Sequence, residues 1–72
     1  MSTDLRKTLS DTPDTPLRVT AMLQLAIDQQ ASDIHLEPIA HGYELRMRAD
    51  GLLTVIEQFE TAVGRSMVTR LM

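Results

Sequence analysis

Cysteine is absent from this 72-residue chain, so neither a disulfide framework nor a thiolate metal site can staple it. That composition fits a reducing compartment. Tryptophan is also absent, and Tyr43 and Phe59 are the only aromatic residues. Positive charge is scarce: Lys plus Arg number 7 against 10 for Asp plus Glu, a net charge of -3. The basic groove and stacking aromatics of a nucleic-acid module are therefore missing, and no nucleic-acid partner is expected. Apolar runs are short, Leu25-Ala26-Ile27 being as long as any, which excludes a membrane-spanning helix. Leu5-Arg6-Lys7 runs straight into Thr8, Ser10, Asp11 and Thr12, so no secretory signal is expected. A chain this small buries only about 60% of its unfolded surface, and marginal stability follows.

What is present falls into ordered segments. Residues 1–15, rich in Ser, Thr and Asp and holding Pro13, read as a flexible leader or linker. Thr15-Pro16 reads as a helix start, with the threonine as cap and a proline that has no amide to waste. The helix is expected over 16–30, its stripe formed by Val19, Met22, Leu23, Ala26 and Ile27, with Arg18 off it. After Ala31 the apolar period falls to two. Ile34 and Leu36 alternate with Asp33, His35 and Glu37, and Pro38 ends the run. Tyr43, Leu45, Met47 and Ala49 alternate with Glu44, Arg46, Arg48 and Asp50 in a second strand. Asp50-Gly51 is a favoured two-residue hairpin pair, and 52–57 supplies a third strand. A last helix, starting near Thr61 or Ala62, carries Val63, Met67 and Leu71 with Val68 beside them, and reaches Met72 without a stop signal, as if cut in mid-helix. The fold class is α+β: an amphipathic helix, a three-stranded antiparallel meander and a C-terminal helix.

Opposed residues on neighbouring strands share a face, which fixes the register. A four-residue connection, 39–42, sets Leu36 opposite Leu45, Ile34 opposite Met47, Asp33 opposite Arg48 and His35 opposite Arg46. A five-residue connection would set Leu36 against Glu44, so the former is favoured. Across the second turn, Leu53 and Val55 join the charged face beside Arg48 and Arg46. A face mixing guanidiniums and branched apolar side chains suits packing against something.

Catalytic chemistry is thin, and no catalytic residue is expected in this chain. It has no Gly-rich phosphate loop, no nucleophile elbow and no histidine pair at helical metal spacing. Asp33-x-His35-x-Glu37 comes nearest to a metal or acid-base cluster. On a strand two of these could converge on one ion, but all three would span about 13 Å, so the preferred reading is a polar sheet face paired with Arg46 and Arg48, with no metal. His41 reads as surface decoration in the first hairpin. Met22, Met47 and Met67 read as packing.

Ala31-Ser32-Asp33-Ile34-His35-Leu36-Glu37-Pro38, followed by Arg46-x-Arg48-x-Asp50-Gly51-x-Leu53, resembles the signature of the domain just before the motor domain in hexameric secretion ATPases. This is the bacterial family that powers type II secretion and type IV pilus assembly. The resemblance covers residues 17–72. It implies that residues 16–72 form the N-terminal (N2-like) domain, a truncated PAS-like α+β unit cut before the nucleotide-binding motor domain. Its implied partners are the motor domain of the same or neighbouring subunit in a homohexamer, and the secretion or pilus machinery at the inner membrane. Its implied place is cytoplasmic, peripheral to that membrane.

In the family the Arg-x-Arg-x-Asp-Gly hairpin lies near the nucleotide cleft, so the resemblance offers Arg46, and with it Arg48, as phosphate contacts. A guanidinium suits that task through its permanent charge and planar fork of donors. The competing reading pairs both arginines with Asp33, His35 and Glu37 alone, with Arg48 the more important because Asp33 lies opposite. A second basic contact found in some members is missing, since Glu60-Thr61-Ala62 stands in that region. ATP and magnesium are implied for the parent protein only. The alternative is a free-standing protein-interaction module with no nucleotide role. Either way this 72-residue chain is expected to show no magnesium-dependent ATPase turnover above buffer in a purified coupled assay; turnover surviving removal of contaminants would contradict the expectation.

Overall fold

The computed structural model describes residues 4–72, and shows an α+β chain in the order α1 (Leu5–Asp11), α2 (Thr15–Asp28), β1 (Asp33–Ile39), β2 (Gly42–Ala49), β3 (Leu52–Phe59) and α3 (Thr61–Leu71). The strands form one three-stranded antiparallel sheet in sequence order. Met22 of α2, Met67 of α3 and Leu45 and Met47 of β2 are the centre of the core, each no more than 1% exposed, so the methionines expected to be core are core. Val19, Ala26, Ile56 and Phe59 complete the contact between helices and sheet.

The expected leader over 1–15 is corrected by α1, while residues 1–3 lie outside the described residues. Asp4 caps this short helix by accepting from the Lys7 amide, and Leu9 is fully buried in the core. Seven residues cannot hold a helix alone, so α1 depends on what it packs against. Its C-terminal carbonyls are taken by Arg18 of α2: Nε donates to Leu9 O at 2.7 Å, and Nη2 donates to Ser10 O at 3.3 Å and to Thr12 O. The Arg18 guanidinium also lies 5.7 Å from the centroid of the Phe59 ring. A cation at the negative end of a helix and over an aromatic face is doubly favoured.

Arg18 was expected off the apolar stripe, yet it is buried, and the stripe is rotated about the helix axis to match. Ala21 and Leu25 are buried on the Arg18 flank, whereas Leu23 and Ile27 are exposed. Periodicity alone marked one core face and named no partner for it. Helix α1 covers the Arg18 flank. The start of α2 shifts by one residue, because Asp14 rather than Thr15 accepts from the Leu17 amide. Its end comes at Asp28, with Gln30 in the left-handed region at φ 54° and Ala31 N donating to Ala26 O at 2.9 Å.

The sheet follows the favoured register in every paired position named above. Pro38 does not end β1 but pairs with Tyr43, which an edge strand tolerates because the missing amide faces away from the ladder. Asp50 and Gly51 have φ of 54° and 76°, the two positive angles that a primed hairpin turn requires, and join Ala49 to its partner Leu52. One irregularity has no local signal. The register shifts between Leu45 and Arg46, leaving Ile56 as an extra residue on β3, and the strand runs on to Phe59 instead of ending near Glu57. Helix α3 then packs on β2 through Gly64, where a Cβ would run into the Tyr43 ring.

Because Leu9 is fully buried in the core, Leu9→Ala is expected to cost about 2–5 kcal/mol, against under about 0.5 kcal/mol for Leu17→Ala on the exposed flank of α2. Urea unfolding of both variants checks this, and equal losses would exclude α1 from the cooperative unit.

Candidate functional site

The sheet face turned away from the helices gathers the residues singled out in the sequence. Alternation on β2 brings Glu44, Arg46 and Arg48 to this face, and β1 adds Asp33, His35 and Glu37. On β3, Leu53 pairs with Arg48 and Val55 with Arg46, as parity required. Downstream of the extra residue Ile56, Gln58 comes opposite Glu44 and joins the same face.

Two ion-pair groups organise it. Arg48 Nε lies 3.3 Å from Asp33 Oδ2, its cross-strand partner, and Arg48 Nη1 donates to Gly51 O at 3.4 Å. Arg46 does not settle on His35, the residue directly opposite. Its Nη2 lies 2.9 Å from Glu37 Oε2 on the diagonal, and its Nε 3.4 Å from Glu44 Oε2 on its own strand. That Nε is buried and makes no hydrogen bond, Glu44 standing near it without hydrogen-bond geometry. Glu44 is itself held by Gln58 Nε2, which donates to Oε1 at 2.9 Å. His35 Nδ1 lies 3.5 Å from Glu37 Oε1, the oxygen not used by Arg46.

Asp33 and Glu37 pair with the arginines on this face, while His35 reaches only Glu37. Among the described residues, no three of His, Cys, Asp and Glu converge as a metal site. His41 is exposed in the turn between β1 and β2. The sequence reading put Glu44 on the arginine side of β2 but did not pair it with Arg46, and it missed Gln58. The Glu44 contact was findable, because two residues along a strand share a face. Gln58 was not, since only the shifted register brings it there. The face carries two guanidiniums against the carboxylates of Asp33, Glu37 and Glu44, and is no free basic patch. Leu53 and Val55, 39% and 51% exposed, flank the arginines with apolar surface.

The pairing reverses the ranking expected for the two arginines. Arg46 neutralises two carboxylates and its side chain is 29% exposed, whereas Arg48 neutralises one and is 41% exposed. Each pair falls in the range of about 0.2–1 kcal/mol for exposed ion pairs. Arg46→Ala is expected to lower the melting temperature more than Arg48→Ala, with the gap narrowing in high salt. A larger loss for Arg48→Ala would make the Asp33 pair the dominant one.

Comparison with known proteins bears on this face. The family model described as type II/IV secretion system protein matches residues 8–72. That match begins inside α1, upstream of residue 17 where the motif resemblance begins. The protein transport protein HofB homolog of Escherichia coli (strain K12) is 40% identical over 53 residues, which make up 74% of this chain. They make up 12% of that relative, so the chain spans a small part of its length. No solved structure matches the chain.

Proposed function

This chain belongs to the type II/IV secretion system protein family, and we propose that it serves as a non-catalytic domain of a hexameric ATPase that powers type II secretion or type IV pilus assembly. In this reading the arginine face packs on the motor domain of the same or neighbouring subunit and offers Arg46 to the phosphates of ATP. The whole protein works in the bacterial cytoplasm, held at the inner membrane by the secretion or pilus machinery. Among the described residues no helix is long and apolar enough to cross a membrane, so attachment through partners is in keeping with this part of the protein. In this reading ATP and magnesium belong to the motor domain, since the sequence holds no Gly-rich phosphate loop.

The observation that carries the proposal is the presentation of Arg46. It stands mid-strand on β2, on the sheet face that the helices leave uncovered, beside the exposed side chains of Val55 and Leu53. A strand holds its side chain more rigidly than a loop would, and apolar neighbours give a docking partner dry contacts around the guanidinium. Once docked, the fork of donors meets phosphate oxygens in a medium of lower dielectric than water. Charge developing on the transferred group is then stabilised by a donor already in place.

A second reading, a protein-interaction module with no nucleotide role, is favoured by the same apolar neighbours and by the pairing of both guanidiniums with carboxylates. The assembled parent protein separates the two. Arg46→Ala is expected to lower turnover by about 100-fold or more while leaving assembly intact, and Arg46→Lys to restore little of it. Unchanged turnover with Arg46→Ala would leave the interaction module.

A further inference from the structure

We infer that Glu37 is a latch on Arg46, a positioning residue that occupies the phosphate-facing edge of the guanidinium until a phosphate displaces it, while Glu44 stays behind as the anchor. The inference rests on the phosphate role of Arg46 for its purpose, but its geometry stands independently. The two carboxylates on Arg46 differ in the edge they take and in how firmly they are held. Glu37 makes the short contact, 2.9 Å to the terminal Nη2, which is part of the edge a phosphate would use. Glu44 lies at Nε, 3.4 Å away.

Glu44 is the fixed member. Its side chain is 19% exposed, and Gln58 Nε2 holds its other oxygen at 2.9 Å. Glu37 is the free one, on edge strand β1, with its side chain 48% exposed. Beyond it, His35 Nδ1 lies 3.5 Å from Oε1, so a Glu37 swung off Arg46 meets a polar neighbour instead of bare apolar surface. An arriving phosphate therefore exchanges one anion for another at Nη2, while Glu44, held by Gln58, stays 3.4 Å from Nε as a fixed neighbouring charge. With three carboxylates around two guanidiniums, a lone anion gains little from this face, and a phosphate held in position by a docked partner gains most.

The test uses the 72-residue chain and inorganic pyrophosphate at constant ionic strength, following the Arg46 Nε–Hε resonance by NMR. Wild type is expected to bind weakly. Glu37→Gln should bind about two- to fivefold more tightly, the fold-change that loss of one exposed ion pair allows, with the Arg46 resonance moving on titration. Glu44→Gln should gain less, because it removes the anchor along with the charge. Adding Arg46→Ala to Glu37→Gln should abolish the gain. Equal gains for Glu37→Gln and Glu44→Gln would reduce the effect to net charge and overturn the latch. So would a gain that survives Arg46→Ala, or no binding by either wild type or Glu37→Gln. Unchanged turnover for Arg46→Ala in the assembled parent would instead remove the nucleotide role and leave a latch seen with pyrophosphate standing.

Discussion

Arg18 joins the halves of this small molecule. A buried cation is expensive unless its donors are used, and here backbone carbonyls of Leu9, Ser10 and Thr12 accept from it while Phe59 lies beneath it. Those carbonyls belong to the end of a helix too short to persist alone. The guanidinium thus completes α1, fixes it on α2 and ties both to the end of β3. From this follow the seating of Leu9, the rotation of α2 that turns Leu23 and Ile27 outward, and the burial of Phe59. In a chain with no disulfide, one arginine does what a covalent staple does elsewhere.

The opposite sheet face uses arginine differently. Arg18 is buried against neutral carbonyls and cannot leave without exposing them. Arg46 and Arg48 meet carboxylates at the surface, where ion pairs contribute little and exchange readily. The first arrangement suits a permanent scaffold and the second a contact made and broken during work. Between them lies the β3 irregularity at Ile56. It lets Ile56 and Phe59 both reach the core while Val55 and Gln58 face the arginines, so one extra residue serves both sides of the sheet.

Much of this was legible in the sequence because it depends on local rules. Period-two alternation and the Asp50-Gly51 turn marked three strands, the register of β1 on β2, that of β3 as far as Val55, and the face shared by Asp33, His35, Glu37, Arg46 and Arg48. The methionine positions followed from the same periodicities. What escaped depends on contacts distant in sequence. Nothing in residues 5–11 shows that Arg18 will cap them, and a Ser/Thr/Asp-rich segment looks the same whether docked or free. The shift at Ile56 has no glycine to mark it. At the site, direct opposition suggested His35 for Arg46, whereas a long guanidinium reaches the diagonal Glu37 as easily.

We propose that one face of the sheet delivers a guanidinium to phosphate, and of the two motor domains named above the neighbouring subunit's is the target put to the test. Subunit mixing in the assembled parent tests it most directly. Subunits carrying Arg46→Ala are mixed with subunits whose phosphate loop is disabled, and turnover of the mixed rings is compared with that of each variant alone. Delivery between subunits predicts turnover above either variant, because some boundaries then pair an intact Arg46 with an intact phosphate loop. Turnover no higher than the variants alone, with mixed rings confirmed, would contradict it.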